Sequence, residues 1–244
     1  MRWIYLSPHL DDAVLSAGGL IYEQTQAGIP VEIWTFMCGY PQGKEYSEFA
    51  EMNHSMWGFP SAEEAVRERR VEDQSAGAIL GANTLHFDFL DCIYRRSPNG
   101  EWLYSEIAVP PHKEDAALPS QIAKAISVRL LPDDVLVCQL AVGSHVDHVL
   151  VRQAAELLGK PLRYDIDVPY IFYKPQELEL KSAGMKASVQ SVTETGLTSW
   201  QEAVLEYNSQ IPNLGPGFDT PEKVREAIQE YWSEHKGIRL FESS

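Results

Sequence analysis

What this sequence has little of narrows its function before any motif is considered. It contains no long apolar run, so no segment reads as a membrane span. Its first apolar stretch, Trp3-Ile4-Tyr5-Leu6, is cut short by Ser7-Pro8-His9 and does not read as a secretory leader. Cysteine is scarce. Cys38, Cys92 and Cys138 are odd in number, widely spaced and without a C-x-x-C pair, which fits a reducing cytoplasm rather than a disulfide framework. Basic charge is short as well: 20 Lys and Arg stand against 35 Asp and Glu, a formal charge of −15. Nucleic acids and anionic membranes are recognised by Lys/Arg patches, so such partners are not expected. No G-x-G-x-x-G follows the first apolar run, so a dinucleotide fingerprint is missing.

What is present is a regular alternation of apolar runs and helical periods. With 244 residues, 44% of them hydrophobic, one substantial core is expected, and the span 1–244 reads as one domain. Strands are expected at 3–6, 31–37, 85–90 and 135–140, with a late one at 170–173. Helices are expected at 12–26, 63–80, 119–131 and 144–158. Two more, at 198–210 and 220–232, form a C-terminal group over about 196–235, the last one opened by Thr220 and Pro221. This spacing implies an α/β fold, a Rossmann-like doubly wound and mostly parallel sheet of order 3-2-1-4-5 with helices on both faces. Gly18-Gly19 inside the first helix implies close backbone packing. The stretches 40–61 and 91–118 read as long irregular loops at the strand ends, where ligands bind in such folds.

Chemistry concentrates at two of those strand ends. The first strand runs into Pro8-His9-Leu10-Asp11-Asp12, and the fourth into Gly143-Ser144-His145-Val146-Asp147-His148. In a 3-2-1-4-5 sheet these strands are neighbours and their carboxyl ends share the switch-point crevice. Two His/Asp segments about 130 residues apart therefore converge, as a catalytic zinc with three protein ligands and an open position requires. Ser144 and Asp147 have capping-box spacing, which places His145 and His148 one turn apart on one helix face and makes Asp147 a cap. His54, His112 and His235 read as surface residues, and His86 as structural.

At these residues the chain resembles the N-acetylglucosaminyl-phosphatidylinositol de-N-acetylase family, also called PIG-L or LmbE-like. The family's His-Pro-Asp-Asp-Glu run stands here as His9-Leu10-Asp11-Asp12-Ala13, and its His-x-x-His run as His145-Val146-Asp147-His148. Arg69-Arg70-Val71-Glu72, Leu80-Gly81 and Tyr207-Asn208-Ser209-Gln210 are further matches. The resemblance implies a Rossmann-like zinc-dependent hydrolase that removes the acetyl group of an N-acetylglucosamine-type conjugate, a small-molecule substrate, with homo-oligomers common. Zn²⁺, or another divalent ion such as Fe²⁺, would be held by His9, Asp12 and His148. Asp11 would be the general base, and His145 would stabilise the oxyanion or protonate the leaving amine. Arg69 resembles a substrate-holding arginine, and Asp91 a substrate-facing acid. Leu10 and Ala13 depart from the family's Pro and Glu, so the chain reads as a divergent bacterial-type branch.

The two loops add Tyr94 and Arg95 as substrate contacts, with Tyr40, Trp57, Arg96 and Trp102 as further candidates. Three other functions satisfy part of the pattern. A two-His-one-carboxylate iron oxygenase needs the same ligand count. A non-catalytic metal module would need a fourth protein ligand, and a magnesium-dependent receiver would leave His-x-x-His without a role.

Overall fold

The structure is a computed structural model that describes residues 1–243. Its elements, in chain order, are β1 (Trp3–Ser7), α1 (Asp12–Gln26), β2 (Val31–Thr35), α2 (Glu48–Trp57), α3 (Ala62–Ile79), β3 (Asn83–His86), α4 (Leu118–Ser127), β4 (Val135–Gln139) and α5 (Val146–Glu156). There follow β5 (Leu162–Asp165), α6 (Tyr170–Tyr173), α7 (Pro175–Lys181), β6 (Met185–Ser191), α8 (Glu194–Val204), α9 (Pro221–His235) and β7 (Gly237–Ser243).

The sheet order is β3-β2-β1-β4-β5-β7-β6. The first five strands are parallel and stand in the expected 3-2-1-4-5 order, although the fifth is Leu162–Asp165 and not the expected 170–173. The remaining two are antiparallel and extend the sheet beyond the expected edge. Strand β1 is buried along its whole length, as its continuous apolar run requires for a central parallel strand. In register, Leu6 faces Trp34 on one side and Cys138 on the other, so β1 and β4 end side by side at the switch point.

Local chemistry sets the helices around this crevice. Ser7 Oγ donates to the carbonyl of His9 at 2.7 Å and accepts from the Ala13 amide at 3.1 Å, bracing the turn from β1 into α1. The paired glycines of α1 are explained by α8: a Cβ at Gly18 would collide with the indole of Trp200, which donates to the Val14 carbonyl at 2.8 Å. Thr220 caps α9 as expected, accepting from the Lys223 amide.

Several expectations are corrected. Tyr170–Tyr173 is a short helix, not a strand; its aromatic run lies over the crevice outside the sheet. Residues 40–61 are not all loop, because Ser47 accepts from the Ala50 amide to start α2 and left-handed Gly58 (φ 77°) stops it. The helix expected at 198–210 is α8, shifted earlier and capped by Thr193. Among the described residues, no helix is long and apolar enough to cross a membrane.

Candidate active site and metal centre

The turn between β4 and α5 brings the second His segment to the first. Ala141, Gly143 and Ser144 all have left-handed backbone (φ 58°, 85° and 58°), a tight reversal that only Gly adopts without strain. It aims the following residues back over the end of β1. His145, not Ser144, is the N-cap of α5: its Nδ1 accepts from the Asp147 amide at 3.1 Å. That bond fixes the tautomer. A neutral His145 carries its proton on Nε2, ready to donate.

Asp12 Oδ2 stands between the imidazoles of His9 and His148. Asp12 Oδ2 lies 3.2 Å from His9 Nδ1 and 3.3 Å from His148 Nε2. For a tetrahedral ion with ligand bonds near 2.1 Å, neighbouring donors stand ~3.4 Å apart. Both ring orientations are fixed from behind. Asp167 Oδ1 accepts a hydrogen bond from His148 Nδ1 at 2.9 Å, while Asp167 Oδ2 accepts from the Val142 amide at 2.9 Å. Asp147 Oδ2 faces His9 Nε2 at 3.1 Å. Each imidazole is thus tied to a buried carboxylate by one nitrogen and offers the other, the outer arrangement that metal-binding histidines use. His148 Nε2 is buried and forms no hydrogen bond, an orphan that a cation would satisfy. The residues fit a divalent ion. Among the described residues, the groups whose donor atoms all lie within 4.8 Å of one another are His9 with His145 and His148, Cys92 with His145 and Asp147, and His9 with Asp91 and Asp147; Asp12 adjoins the first of them through His9 and His148.

Asp11 sits beside this set. It occupies the N-cap position of α1 but makes no capping hydrogen bond, so the helix start does not hold its carboxylate. Arg69 Nη2 is 3.7 Å away, and the Arg69 guanidinium stacks on Trp57 at 4.7 Å. Burial, and after it the Asp12 charge, push Asp11 up to about 6, with Arg69 pulling the other way. Burial disfavours the Asp12 anion too, yet His148 and His9 outweigh it and hold that carboxyl well below the usual range. Burial, reinforced by His9 and His148, keeps His145 neutral.

His9, Asp11, Asp12, Arg69, Asp91 and His145 line one cavity of about 430 Å³, and His148 lies buried beneath them. Its upper walls are apolar, from Phe49, Met52 and Trp57 on one side and Tyr170 and Tyr173 on the other. Asp91 Oδ2 is 3.7 Å from His9 Nε2, and its Oδ1 accepts from the Ile93 amide at 3.1 Å.

Tyr94 and Arg95 do not line this cavity. Tyr94 Oη bonds His54 Nε2 at 2.7 Å, which buries His54 and corrects its expected place on the surface. Arg95 is buried between two carboxylates, its Nη2 2.6 Å from Asp147 Oδ1 and its Nε 2.9 Å from Asp115 Oδ2. A substrate contact is therefore replaced by a positioning role, since Arg95 fixes the rotamer of the Asp147 that holds His9. Asp147 is likewise no simple cap. It accepts from the Cys92 amide at 2.9 Å and joins the 91–118 loop to the site. Removing one member of such a buried set leaves an unpaired charge, so Arg95→Met is expected to destabilise the fold by about 3–5 kcal/mol in urea unfolding. A loss below about 1 kcal/mol would show the pairs to be dispensable. Of the other loop candidates, Trp57 reaches the cavity, whereas Tyr40 lies under Arg70 at 4.9 Å and Trp102 under Arg96 at 3.6 Å.

With this geometry in place, sequence comparison is decisive. The profile of GlcNAc-PI de-N-acetylase (PIG-L) matches residues 4–158. The chain belongs to this family. Teicoplanin deacetylase Orf2, solved in a zinc-inhibited form, is 31% identical with a TM-score of 0.85, over 99% of this chain and 97% of its own. The A40926 pseudoaglycone deacetylase Dbv21 is 30% identical with a TM-score of 0.75, over 99% and 96%. The N,N'-diacetylchitobiose deacetylase of Pyrococcus horikoshii shares the fold at 16% identity and a TM-score of 0.56, over 98% and 83%. No curated protein sequence matches significantly. Membership makes this chain a hydrolase of the metal-dependent N-deacetylase class and sets aside the oxygenase, receiver and non-catalytic readings.

Proposed function

We propose that this protein removes the acetyl group from an acetylated amino sugar carried on a bulky apolar conjugate, using a divalent ion held by His9, Asp12 and His148. The observation that carries the proposal is Asp12 Oδ2 lying 3.2 Å from His9 Nδ1 and 3.3 Å from His148 Nε2, with Asp11 beside it in the lining of the cavity. A volume of about 430 Å³ lies in the range of small-molecule sites, and its aromatic and methionine walls suit a sugar with an apolar aglycone. Two of the relatives above are named as deacetylases of teicoplanin and of the A40926 pseudoaglycone. The imidazole and carboxylate donors suit zinc, with ferrous iron the other candidate.

A bound ion would polarise the acetyl carbonyl and make a water molecule acidic near pH 7. The protein's own groups supply the rest. Asp11 accepts the proton of the attacking water as its oxygen bonds to the carbonyl carbon. His145, neutral and protonated on Nε2, donates a hydrogen bond to the oxygen that gains charge. The protonated Asp11 then returns the proton to the nitrogen as the C–N bond breaks, releasing acetate and a free amine. The tautomer fixed by the cap favours hydrogen-bond donation by His145 over proton delivery. Arg69 and Asp91 hold the sugar from the cavity wall.

The test is acetate release from N-acetylated aryl glucosaminides, before and after chelation and after readdition of zinc or ferrous iron. Release that is lost with chelator and restored by one ion supports the reading; release indifferent to chelator contradicts it. Asp11 must be ionised to act, so activity rises with pH through its titration, which a bound cation would place lower than burial and the Asp12 charge alone do. Because Arg69 lowers that value, Arg69→Met is expected to move the acid limb of kcat/KM to higher pH. An unmoved limb would remove Asp11 from the base role.

A further inference from the structure

We infer that Gln210 is a specificity residue that accepts a hydrogen bond from a hydroxyl of the substrate sugar, its amide aimed by a one-way relay through Ser209 to Glu72. The inference rests on the sugar-deacetylase reading above and adds the polarity of one contact.

The relay starts on α3. An ionised glutamate side chain offers only acceptors. The Ser209 amide donates to Glu72 Oε1 at 2.8 Å, and Ser209 Oγ donates to Glu72 Oε2 at 2.6 Å. A serine hydroxyl has a single proton, here directed at Glu72. Toward its other neighbour Oγ can only accept, and Gln210 Nε2 donates to it at 2.8 Å. The two ends of an amide are an NH₂ and a carbonyl oxygen, and at such sites their assignment follows from the surrounding bonds. With the NH₂ on Ser209, the oxygen is the end left over.

Gln210 is buried and lines the cavity together with Arg69 and Asn213. Its backbone is anchored as well, the Gln210 amide donating to the Tyr207 carbonyl at 2.9 Å and its carbonyl accepting from the Asn213 amide at 2.8 Å. Among the described residues, nothing hydrogen-bonds the Gln210 amide oxygen. That oxygen is not sealed from solvent, and the cavity is where a substrate donor can reach it. An acceptor selects a donor. A hydroxyl satisfies it, whereas a fluorine of similar size does not. The relay also gives a joint role to two sequence segments, around Glu72 and Gln210, that the metal chemistry leaves unused.

The test compares acetate release from p-nitrophenyl N-acetyl-β-glucosaminide and its 3-, 4- and 6-deoxyfluoro analogues by the metal-loaded full chain. Wild type, Gln210→Leu and Ser209→Ala are measured. In the wild type one fluorinated position is expected to lose about tenfold in kcat/KM, mainly through KM. In Gln210→Leu that penalty shrinks to about twofold or less while penalties at the other positions persist, the signature of direct coupling. Ser209→Ala, which frees the amide to turn, reduces the same penalty without removing the side chain. Identical penalties in wild type and both variants, or no penalty in the wild type, overturn the relay while leaving the deacetylase reading intact. No acetate from the parent glycoside defeats that reading, and this inference with it.

Discussion

Asp11→Asn is expected to lower kcat by about 10³-fold while leaving divalent-ion affinity within about threefold of the wild type. The substitution keeps the size of the side chain and removes only its capacity to take a proton. Asp11 makes no capping bond to α1, so the helix start does not depend on its charge. Its neighbour Asp12 has the aligned oxygen, 3.2 Å from His9 Nδ1, whereas Asp11 faces Arg69 at 3.7 Å. The two adjacent carboxylates therefore divide the work, one toward the ion and one toward the water. Steady-state kinetics with parallel metal titration separates them. Loss of ion binding together with activity would place Asp11 among the ligands instead.

His148→Ala has the opposite signature. Four-ligand zinc sites are worth about 10–16 kcal/mol in total, so one ligand of a three-ligand site is worth about 3 kcal/mol or more, and affinity is expected to fall by roughly 10²–10³-fold. His148 is buried, and its Nδ1 is already held by Asp167 at 2.9 Å, so its Nε2 has no other evident use. Activity should return only at high metal concentration, if at all. Isothermal titration of the metal-free protein reads this directly, and an affinity within about threefold of the wild type would reassign the ligand.

The parts of this protein that were legible in its sequence are those whose signal is local. The apolar runs 3–6, 31–37 and 135–140 could only be central strands, and their spacing through intervening helices dictated the parallel order. That order alone brings His9 and His148 together. The outer strands were not legible. Strand β6 exposes Lys186, Ala187, Val189 and Ser191 and half-buries Met185, Ser188 and Gln190, so it lacks the continuous buried apolar run that marks its central counterparts. Helix α2 had readable caps in Ser47 and Gly58, but it is only ten residues long and buries only Ala50 and His54, so its helical period is weak.

The support around the site was invisible for a different reason. Asp147 looked like a cap because capping is local, whereas its real partners, Arg95 and Cys92, come from a loop about 50 residues away. Asp167 reaches His148 from the far side of β5, and no spacing rule links the two. The same applies to His54, which its polar neighbours placed on the surface and which Tyr94 holds inside.

Anomalous scattering from crystals soaked in zinc or ferrous iron would locate the ion. A single peak about 2.0–2.2 Å from His9 Nδ1, Asp12 Oδ2 and His148 Nε2, with Asp11 outside bonding distance, is the expected result. A peak bound without Asp12, by His9, His145 and His148, by Cys92, His145 and Asp147 or by His9, Asp91 and Asp147, would contradict it.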